Sequence, residues 1–218
     1  MRYVDDAPGA VLTAAKEMLR RGLVEGTAGN ISARQEDATI VITPSSVDYA
    51  EMQLDDLVVI DLDGSTLSAK EGRSASSEKL LHLACYQAFD DVGSVIHSHP
   101  VFATMFAITH QDIPPCIDEF SIYVGGAVRC TRYAASGTPD VGEAAVEALQ
   151  GRGAALIANH GMVTVGPKPS TALHITALVE RSAQIVWGAK ALGPVQELPA
   201  KVNEGFANIY EYLRQNPM

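Results

Sequence analysis

Short extended apolar segments alternate with segments of helical spacing along nearly the whole chain, and this alternation restricts the fold more than any other feature. Extended patterns occur at 39–43, 57–61, 94–99, around 128, 154–158 and 162–165, and helical patterns at 10–19, 76–88, 101–109, 140–149, 170–192 and 202–214. Asp63-Gly64 favours a hairpin after the second strand, and Asn159-His160-Gly161 forms a turn between the last two strands. The sequence therefore predicts an α/β fold with three α/β/α layers around a central, mostly antiparallel sheet, in a single domain over residues 1–218.

The composition restricts the class of protein and its partners. The 218 residues are 47% hydrophobic and 19% charged, which allows a substantial core and argues against disorder. The net charge of −10 argues against nucleic acid or an anionic membrane as a partner. There is no apolar run of the roughly 18 residues that a spanning helix needs. The N-terminal residues show no secretory signal, and three cysteines without a C-x-x-C pair are typical of reduced thiols, so we expect a cytoplasmic location.

Three histidines form a candidate metal site. His97 and His99 are two residues apart in a predicted strand, so both imidazoles point to one face and can reach one ion. His160 follows a strongly apolar strand, in a turn where a rigid scaffold can direct a side chain. Three histidines with an open fourth position are typical of catalytic zinc. The alternative is a pair of ordinary polar histidines and a third that only hydrogen-bonds within its turn.

Glu78 is the candidate fourth member of this site. It lies at the predicted start of a helix, with Ser76 expected as the N-cap residue. A carboxylate there can ligate a metal or act as a general base. Alternatively, it only complements the positive end of the helix dipole.

Three segments rich in Gly, Ser and Thr are candidates for binding a phosphate group. They cover residues 25–32, 43–46 and 74–77. Glycine lets the backbone approach an anion closely, hydroxyl and amide groups supply neutral donors, and the third segment precedes a predicted helix. None of them matches the G-x-G-x-x-G or P-loop pattern, so no nucleotide site is predicted. Each segment alone also fits an ordinary turn or cap.

Five motifs occur together in the order found in one known family. GTAGNIS (26–32), ITPSS (42–46), SSEKLLH (76–82), HSHP (97–100) and ANHG (158–161) resemble the class II aldolase and adducin family over roughly residues 8–195. This resemblance implies zinc ligation by His97, His99 and His160, and an acid/base role for Glu78. It also implies a phosphate site formed by Thr27, Gly29, Asn30, Ser45, Ser46, Ser76 and Ser77.

The resemblance also implies an activity and an assembly. The expected reaction is zinc-dependent cleavage or formation of a ketose 1-phosphate, giving dihydroxyacetone phosphate and an aldehyde. Manganese or cobalt is the alternative to zinc, which three imidazole ligands favour. The expected assembly is a homotetramer with active sites between subunits. Ser45 and Ser46 stand where the aldolase pattern has Thr-Gly.

Several alternatives remain within and outside this family. Related sugar-phosphate 4-epimerases carry Asp where this chain has Glu78, and related decarboxylases and dehydratases share the site. Adducin-like domains are non-catalytic and have lost the ligands that this chain keeps.

The sequence leaves several candidates for the residue that exchanges a proton with the aldehyde oxygen. The family's tyrosine position falls on Glu119, and Tyr123, Tyr210 and Tyr212 are the other candidates. The remaining histidines and the tryptophan are expected to be packing or surface residues rather than ligands: His82, His110, His174 and Trp187.

Overall fold

The computed structural model describes residues 1–216 and contains an eight-stranded sheet with helices on both faces. The strands are β1 (Asn30–Arg34), β2 (Ile40–Ile42), β3 (Val58–Ile60), β4 (Thr66–Ser68), β5 (Ser94–Ser98), β6 (Arg129–Cys130), β7 (Ala154–Ile157) and β8 (Gly161–Gly166). The helices are α1 (Ala7–Arg20), α2 (Lys79–Ala88), α3 (Val101–Ile108), α4 (Asp118–Val124), α5 (Pro139–Ala148), α6 (Pro169–Lys190) and α7 (Ala200–Gln215). A 3-10 turn covers Leu54–Asp56.

The strand order is β4-β3-β2-β1-β5-β8-β7-β6. Every neighbouring pair is antiparallel except β6 and β7, which are parallel. The prediction of a mostly antiparallel sheet is therefore confirmed. The neighbouring strands β5 and β8 position all three candidate histidines: β5 contains His97 and leads directly into His99, and β8 begins directly after His160.

The two faces of the sheet bury separate apolar clusters, because side chains alternate along each strand. On β5, Val95 packs with the side chains of α2 and α5, whereas Ile96 packs with those of α1 and α6 on the opposite face. A third cluster packs α3, α4 and α6 against β7 and β8, and α7 packs against α4. These layers confirm the predicted α/β/α arrangement.

The predicted elements all have counterparts in the structure, with shifted boundaries. The Asp63-Gly64 turn joins β3 to β4 in an antiparallel hairpin, as predicted. The prediction of Ser76 as the N-cap of α2 is wrong. The helix begins at Lys79 with Glu78 in the cap position, and Ser76 Oγ instead accepts a hydrogen bond from the Glu78 N–H at 3.3 Å.

Two elements were not predicted. β1 begins at Asn30, inside the glycine-rich segment 25–32, and continues to Arg34; its polar residues conceal the extended pattern. The short helix α4 follows the Pro114-Pro115 break. Within residues 1–216, no helix combines the length and apolar character needed to cross a bilayer. The three cysteines are free, as their odd number and spacing predicted.

Candidate metal centre

The pairing of β5 with β8 brings the three histidines to one edge of the sheet. Ser98 at the end of β5 pairs with Met162 near the start of β8, so His99 lies opposite the turn that contains His160. Asn159 adopts the left-handed conformation in that turn, with φ of 58°. A Cβ on Gly161 would lie 2.5 Å from both the Ser98 carbonyl oxygen and His99 Cδ2, so glycine is required at this position.

The histidines and Glu78 converge on one point. One ligand atom from each of Glu78, His97, His99 and His160 lies within 4.8 Å of the others. The Nε2 atoms of His97 and His99 are 2.8 Å apart. The carboxylate of Glu78 places Oε2 at 3.2 Å from His97 Nε2 and Oε1 at 3.3 Å from His160 Nε2. The structure thus brings together the four residues that the sequence singled out.

The protonation of the imidazoles fits a bound divalent cation. His97 Nδ1 lies 2.9 Å from the Met162 carbonyl oxygen, which can only accept, so in a neutral ring Nδ1 carries the proton and Nε2 presents its lone pair to the cluster. Burial lowers the pKa of His99 to about 4 and also lowers the pKa of His160. Metal ligation requires neutral imidazole, so these side chains match the chemistry of a cation site.

Glu78 is held on both carboxylate oxygens. Ser136 Oγ donates to Oε1 at 2.7 Å, and Asn30 Nδ2 donates to Oε2 at 3.0 Å. Burial opposes ionisation of the carboxyl group, but the adjacent His97, the hydrogen bond from Ser136 and the adjacent His160 outweigh it and hold the pKa of Glu78 below its usual range. The carboxylate is therefore ionised and fixed in orientation.

The three candidate phosphate segments meet beside this cluster. Thr43 N–H donates to the Ile31 carbonyl at 3.0 Å across the β1–β2 pair. Backbone bonds then join segment 43–46 to segment 74–77, from Ser45 to Ser74 at 2.9 Å and from Ser76 to Thr43 at 3.2 Å. Since Asn30 pairs with His97 across β1 and β5, all three segments lie at the edge of the sheet that holds the histidines.

The predicted phosphate residues differ in accessibility. Gly29 has φ of 78°, and its carbonyl accepts a hydrogen bond from Tyr49 Oη at 2.7 Å. Asn30 and Ser76 are buried. The exposed or half-exposed members are Thr27, Gly29, Ser45, Ser46 and Ser77. Because the three segments meet at this edge, these residues belong to the part of the sheet that holds the histidines.

The candidate partners for the aldehyde oxygen lie outside the four-residue cluster. Tyr123 packs its ring against His174, with centroids 5.0 Å apart, in a cavity whose lining includes Val165 and Gly166 at the far end of β8. Tyr210 is buried and accepts a hydrogen bond from Arg214 at 3.3 Å. Glu119 and Tyr212 are exposed.

Two residues that support the site were not found from the sequence. Ser136 lies in an exposed segment before α5, and no motif marks it. Glu180 on α6 accepts the backbone N–H groups of Phe102 and Ala103 at 3.0 and 2.8 Å, so it caps the helix that directly follows His99 and Pro100. In both cases the contact joins segments far apart in the chain, which leaves no local signal.

Comparison with known proteins identifies the family. The sequence profile of the Class II Aldolase and Adducin N-terminal domain matches residues 9–187. The chain belongs to this family. It is 31% identical over 202 residues to a 5-deoxy-D-ribulose 1-phosphate aldolase of Bacillus thuringiensis, covering 92% of this chain and 93% of that protein. It is 32% identical to an L-fuculose phosphate aldolase of Escherichia coli K12, over 94% of this chain and 92% of that protein.

Solved structures place the chain in the same class II aldolase fold. An L-fuculose 1-phosphate aldolase superposes with a TM-score of 0.89 at 31% identity, covering 96% of this chain and 98% of that one.

In sequence, the chain is also similar to an L-ribulose-5-phosphate 4-epimerase of Salmonella paratyphi C, with 33% identity over 198 residues, 84% of this chain and 85% of that protein. The predictions of this family, this fold and an enzyme of the class II aldolase type are therefore confirmed.

Proposed function

We propose that this class II aldolase family member is a zinc-dependent aldolase that cleaves or forms a ketose 1-phosphate. The observation that carries the proposal is the convergence of Glu78 with three imidazoles, in which His97 presents an unprotonated Nε2 to the cluster. The phosphate segments at the same edge of the sheet suit a phosphorylated substrate in a chain whose net charge of −10 supplies no overall attraction for anions.

The substrate class follows from the aldolase relatives. L-Fuculose 1-phosphate and 5-deoxy-D-ribulose 1-phosphate share a phosphate on C1, a ketone at C2 and a terminal methyl group. Cleavage breaks the C3–C4 bond, releasing dihydroxyacetone phosphate and an aldehyde that keeps the methyl. We therefore propose a ketose 1-phosphate of this type, with L-fuculose 1-phosphate as the first candidate.

The side chains of the site have separate roles in this proposal. A divalent cation held by His97, His99 and His160 would act as a Lewis acid that polarises the substrate carbonyl. In the synthetic direction, Glu78 takes the proton from C3 of dihydroxyacetone phosphate, and in cleavage it returns a proton to that carbon. The hydroxyls and amides of the phosphate segments hold the phosphate, which fixes C3 relative to the Glu78 carboxylate. The members of that set are Thr27, Gly29, Asn30, Ser45, Ser46, Ser76 and Ser77.

The C4 hydroxyl must lose a proton during cleavage, and a neighbouring subunit is the proposed source of the base. Of the four candidates, Glu119 and Tyr212 are exposed on the single chain, Tyr123 is half-buried and Tyr210 is buried. A homotetramer with active sites between subunits would bring such exposed residues to a second chain. Exposed apolar side chains on α3 and α6, including Val101 and Trp187, are consistent with such an assembly. We further propose that it lies in the cytoplasm.

An epimerase acting on a pentulose 5-phosphate is the second candidate, favoured by the similarity to an L-ribulose-5-phosphate 4-epimerase. Glutamate rather than aspartate at position 78 supports the aldolase. The decarboxylase and dehydratase reactions of the family use the same metal and phosphate groups and rank below these two. A non-catalytic, adducin-like role is disfavoured because Glu78 and all three histidines are retained and converge.

The test is a substrate panel assayed for released dihydroxyacetone phosphate. Purified protein is incubated with L-fuculose 1-phosphate, 5-deoxy-D-ribulose 1-phosphate or L-ribulose 5-phosphate, before and after chelator treatment and after zinc is restored. We expect release from at least one ketose 1-phosphate, loss with the chelator and recovery with zinc. Epimerisation of L-ribulose 5-phosphate without any release would replace the aldolase by the epimerase.

Two variants separate the chemistry from folding. Glu78→Gln should keep its zinc content and lose most of its turnover, because the amide cannot accept the C3 proton. Glu17→Gln is the matched control, since Glu17 lies on α1 and pairs with Arg20 and Arg21 away from the site. Near wild-type turnover by Glu78→Gln would remove Glu78 from the mechanism.

A further inference from the structure

A continuous chain of hydrogen bonds runs from Glu78 into the protein between α2 and β1. Asn30 Nδ2 donates to Glu78 Oε2 at 3.0 Å, and Asn30 Oδ1 lies 2.5 Å from His82 Nε2. On the other side of the ring, His82 Nδ1 lies 2.7 Å from Ser32 Oγ, which is 2.8 Å from Tyr86 Oη. The hydrogen-bond chain thus links Glu78 to Tyr86, which lies about two turns further along α2.

The direction of every bond in this chain follows from one group. The ionised carboxylate of Glu78 can only accept, so Asn30 must turn its NH₂ towards it and its carbonyl oxygen towards His82. His82 Nε2 must then carry a proton and donate to that oxygen. In a neutral ring Nδ1 is therefore an acceptor, and the Ser32 hydroxyl donates a hydrogen bond to it. Ser32 Oγ in turn accepts a hydrogen bond from the Tyr86 hydroxyl.

The surroundings hold this chain in a single arrangement. His82 and Ser32 have no exposed surface, and Asn30 and Tyr86 are 3% and 2% exposed. Burial lowers the pKa of His82 to about 3, so the ring stays neutral at neutral pH. Arg34 closes the far end, donating from Nη2 to the Tyr86 carbonyl at 2.6 Å with its guanidinium 5.0 Å from the ring centroid.

We propose that His82 is a positioning residue, whose Nε2–H fixes the Asn30 amide so that Asn30 in turn fixes the Glu78 carboxylate against the reacting carbon. This inference rests on the proposed function, because these hydrogen bonds affect the reaction only by orienting Glu78. It adds to the predicted phosphate role of Asn30, since the Nδ2 atom carries two hydrogens and Glu78 uses one. It also explains why a neutral, fully buried histidine lies beneath the site without belonging to the four-residue cluster.

The kinetic test compares two substitutions that differ in one donor. His82→Leu removes the donor to Asn30, whereas His82→Gln keeps an N–H group near the position of Nε2. Since loss of a supporting hydrogen bond behind a site residue typically costs about 10- to 100-fold, we expect His82→Leu to lower kcat at least about tenfold. We expect KM for the sugar phosphate to change less than about threefold, and His82→Gln to recover most of the lost kcat.

The control variant removes a buried hydrogen bond elsewhere. Thr176 Oγ1 lies 2.7 Å from Thr164 Oγ1 between α6 and β8, on the opposite face of the sheet. Thr176→Val should lower the melting temperature as His82→Leu does, while kcat stays within about twofold of wild type. A kcat for folded His82→Leu within twofold of wild type would overturn the proposal. So would a loss that appears as a rise in KM, because that would assign Asn30 to the phosphate alone.

A second measurement does not depend on activity. ¹⁵N NMR of histidine-labelled, zinc-loaded protein reports which ring nitrogen of His82 carries the proton. We expect the neutral Nε2–H tautomer between pH 6 and 8, and a displaced Nε2–H resonance in Asn30→Ala but not in Ser46→Ala. A protonated ring or the Nδ1–H tautomer would overturn the proposal. If the wild type cleaves no substrate of the panel, the proposed function fails, and the NMR result still decides whether His82 holds Asn30.

Discussion

Gly161→Ala is the substitution for which the structure gives the sharpest expectation. Gly161 begins β8, immediately after His160, and faces the end of β5. An added Cβ would lie 2.5 Å from the Ser98 carbonyl oxygen and 2.5 Å from His99 Cδ2, and 3.4 Å from His99 Cα. One of these atoms belongs to the backbone of a central strand, so it cannot move away alone.

The size of the effect follows from this overlap. The contact is about 0.9 Å shorter than the 3.4 Å at which ordinary van der Waals contact begins. Overpacking of a well-packed site costs about 1–3 kcal/mol of unfolding free energy. For a chain of this size each kcal/mol lowers the melting temperature by about 2–4 °C. Because metal ligands tolerate displacements of only about 0.2 Å, a shifted His99 should weaken zinc binding by about 10- to 100-fold.

The assay measures the zinc dissociation constant by chelator competition and the melting temperature of the zinc-free protein. Gly188→Ala is the control, since Gly188 lies within α6 and no heavy atom comes within 4 Å of its added Cβ. That variant should keep wild-type zinc affinity and unfold at the same or a higher temperature. A Gly161→Ala protein with an unchanged melting temperature would refute the packing argument. Loss of stability with unchanged zinc affinity would refute His99 as a ligand.

Two further substitutions test residues that support the site from a distance. Glu180→Ala removes the acceptor for the N–H groups of Phe102 and Ala103 in the first turn of α3, so we expect a loss of about 1–3 kcal/mol of unfolding free energy in urea denaturation. Glu180→Gln should lose less, and equal stability of Glu180→Ala and wild type would show that the cap contributes nothing. Ser136→Ala removes the hydroxyl that donates to Glu78 Oε1, and we expect kcat to fall about three- to tenfold with zinc content unchanged. A kcat equal to that of wild type would show that Asn30 alone orients the carboxylate.

The sequence itself determined the secondary structure and the chemical character of the site. Apolar residues at helical spacing on α1 and the extended runs that became β5 and β7 are local patterns, and the backbone responds to them within a few residues. The two-residue period of a strand is also sufficient to place His97 and His99 near one another. The boundary of α2 was less predictable, because the Ser76 hydroxyl accepts the Glu78 N–H while the Glu78 carboxylate binds Asn30 and Ser136 instead of capping the helix.

Only the tertiary structure decided which side chains complete the site. Ser136 and Glu78 are 58 residues apart, and Glu180 and Phe102 are 78 residues apart. His82 looked like an ordinary packing residue of an amphipathic helix, and only the approach of β1 gave it Asn30 and Ser32 as partners. The strength of a hydrogen bond changes with differences of a few tenths of an ångström in its length. For residues far apart in the chain, the packing of the layers sets that length. The sequence therefore determined the kind of chemistry through its local patterns, whereas the fold decided the support around it.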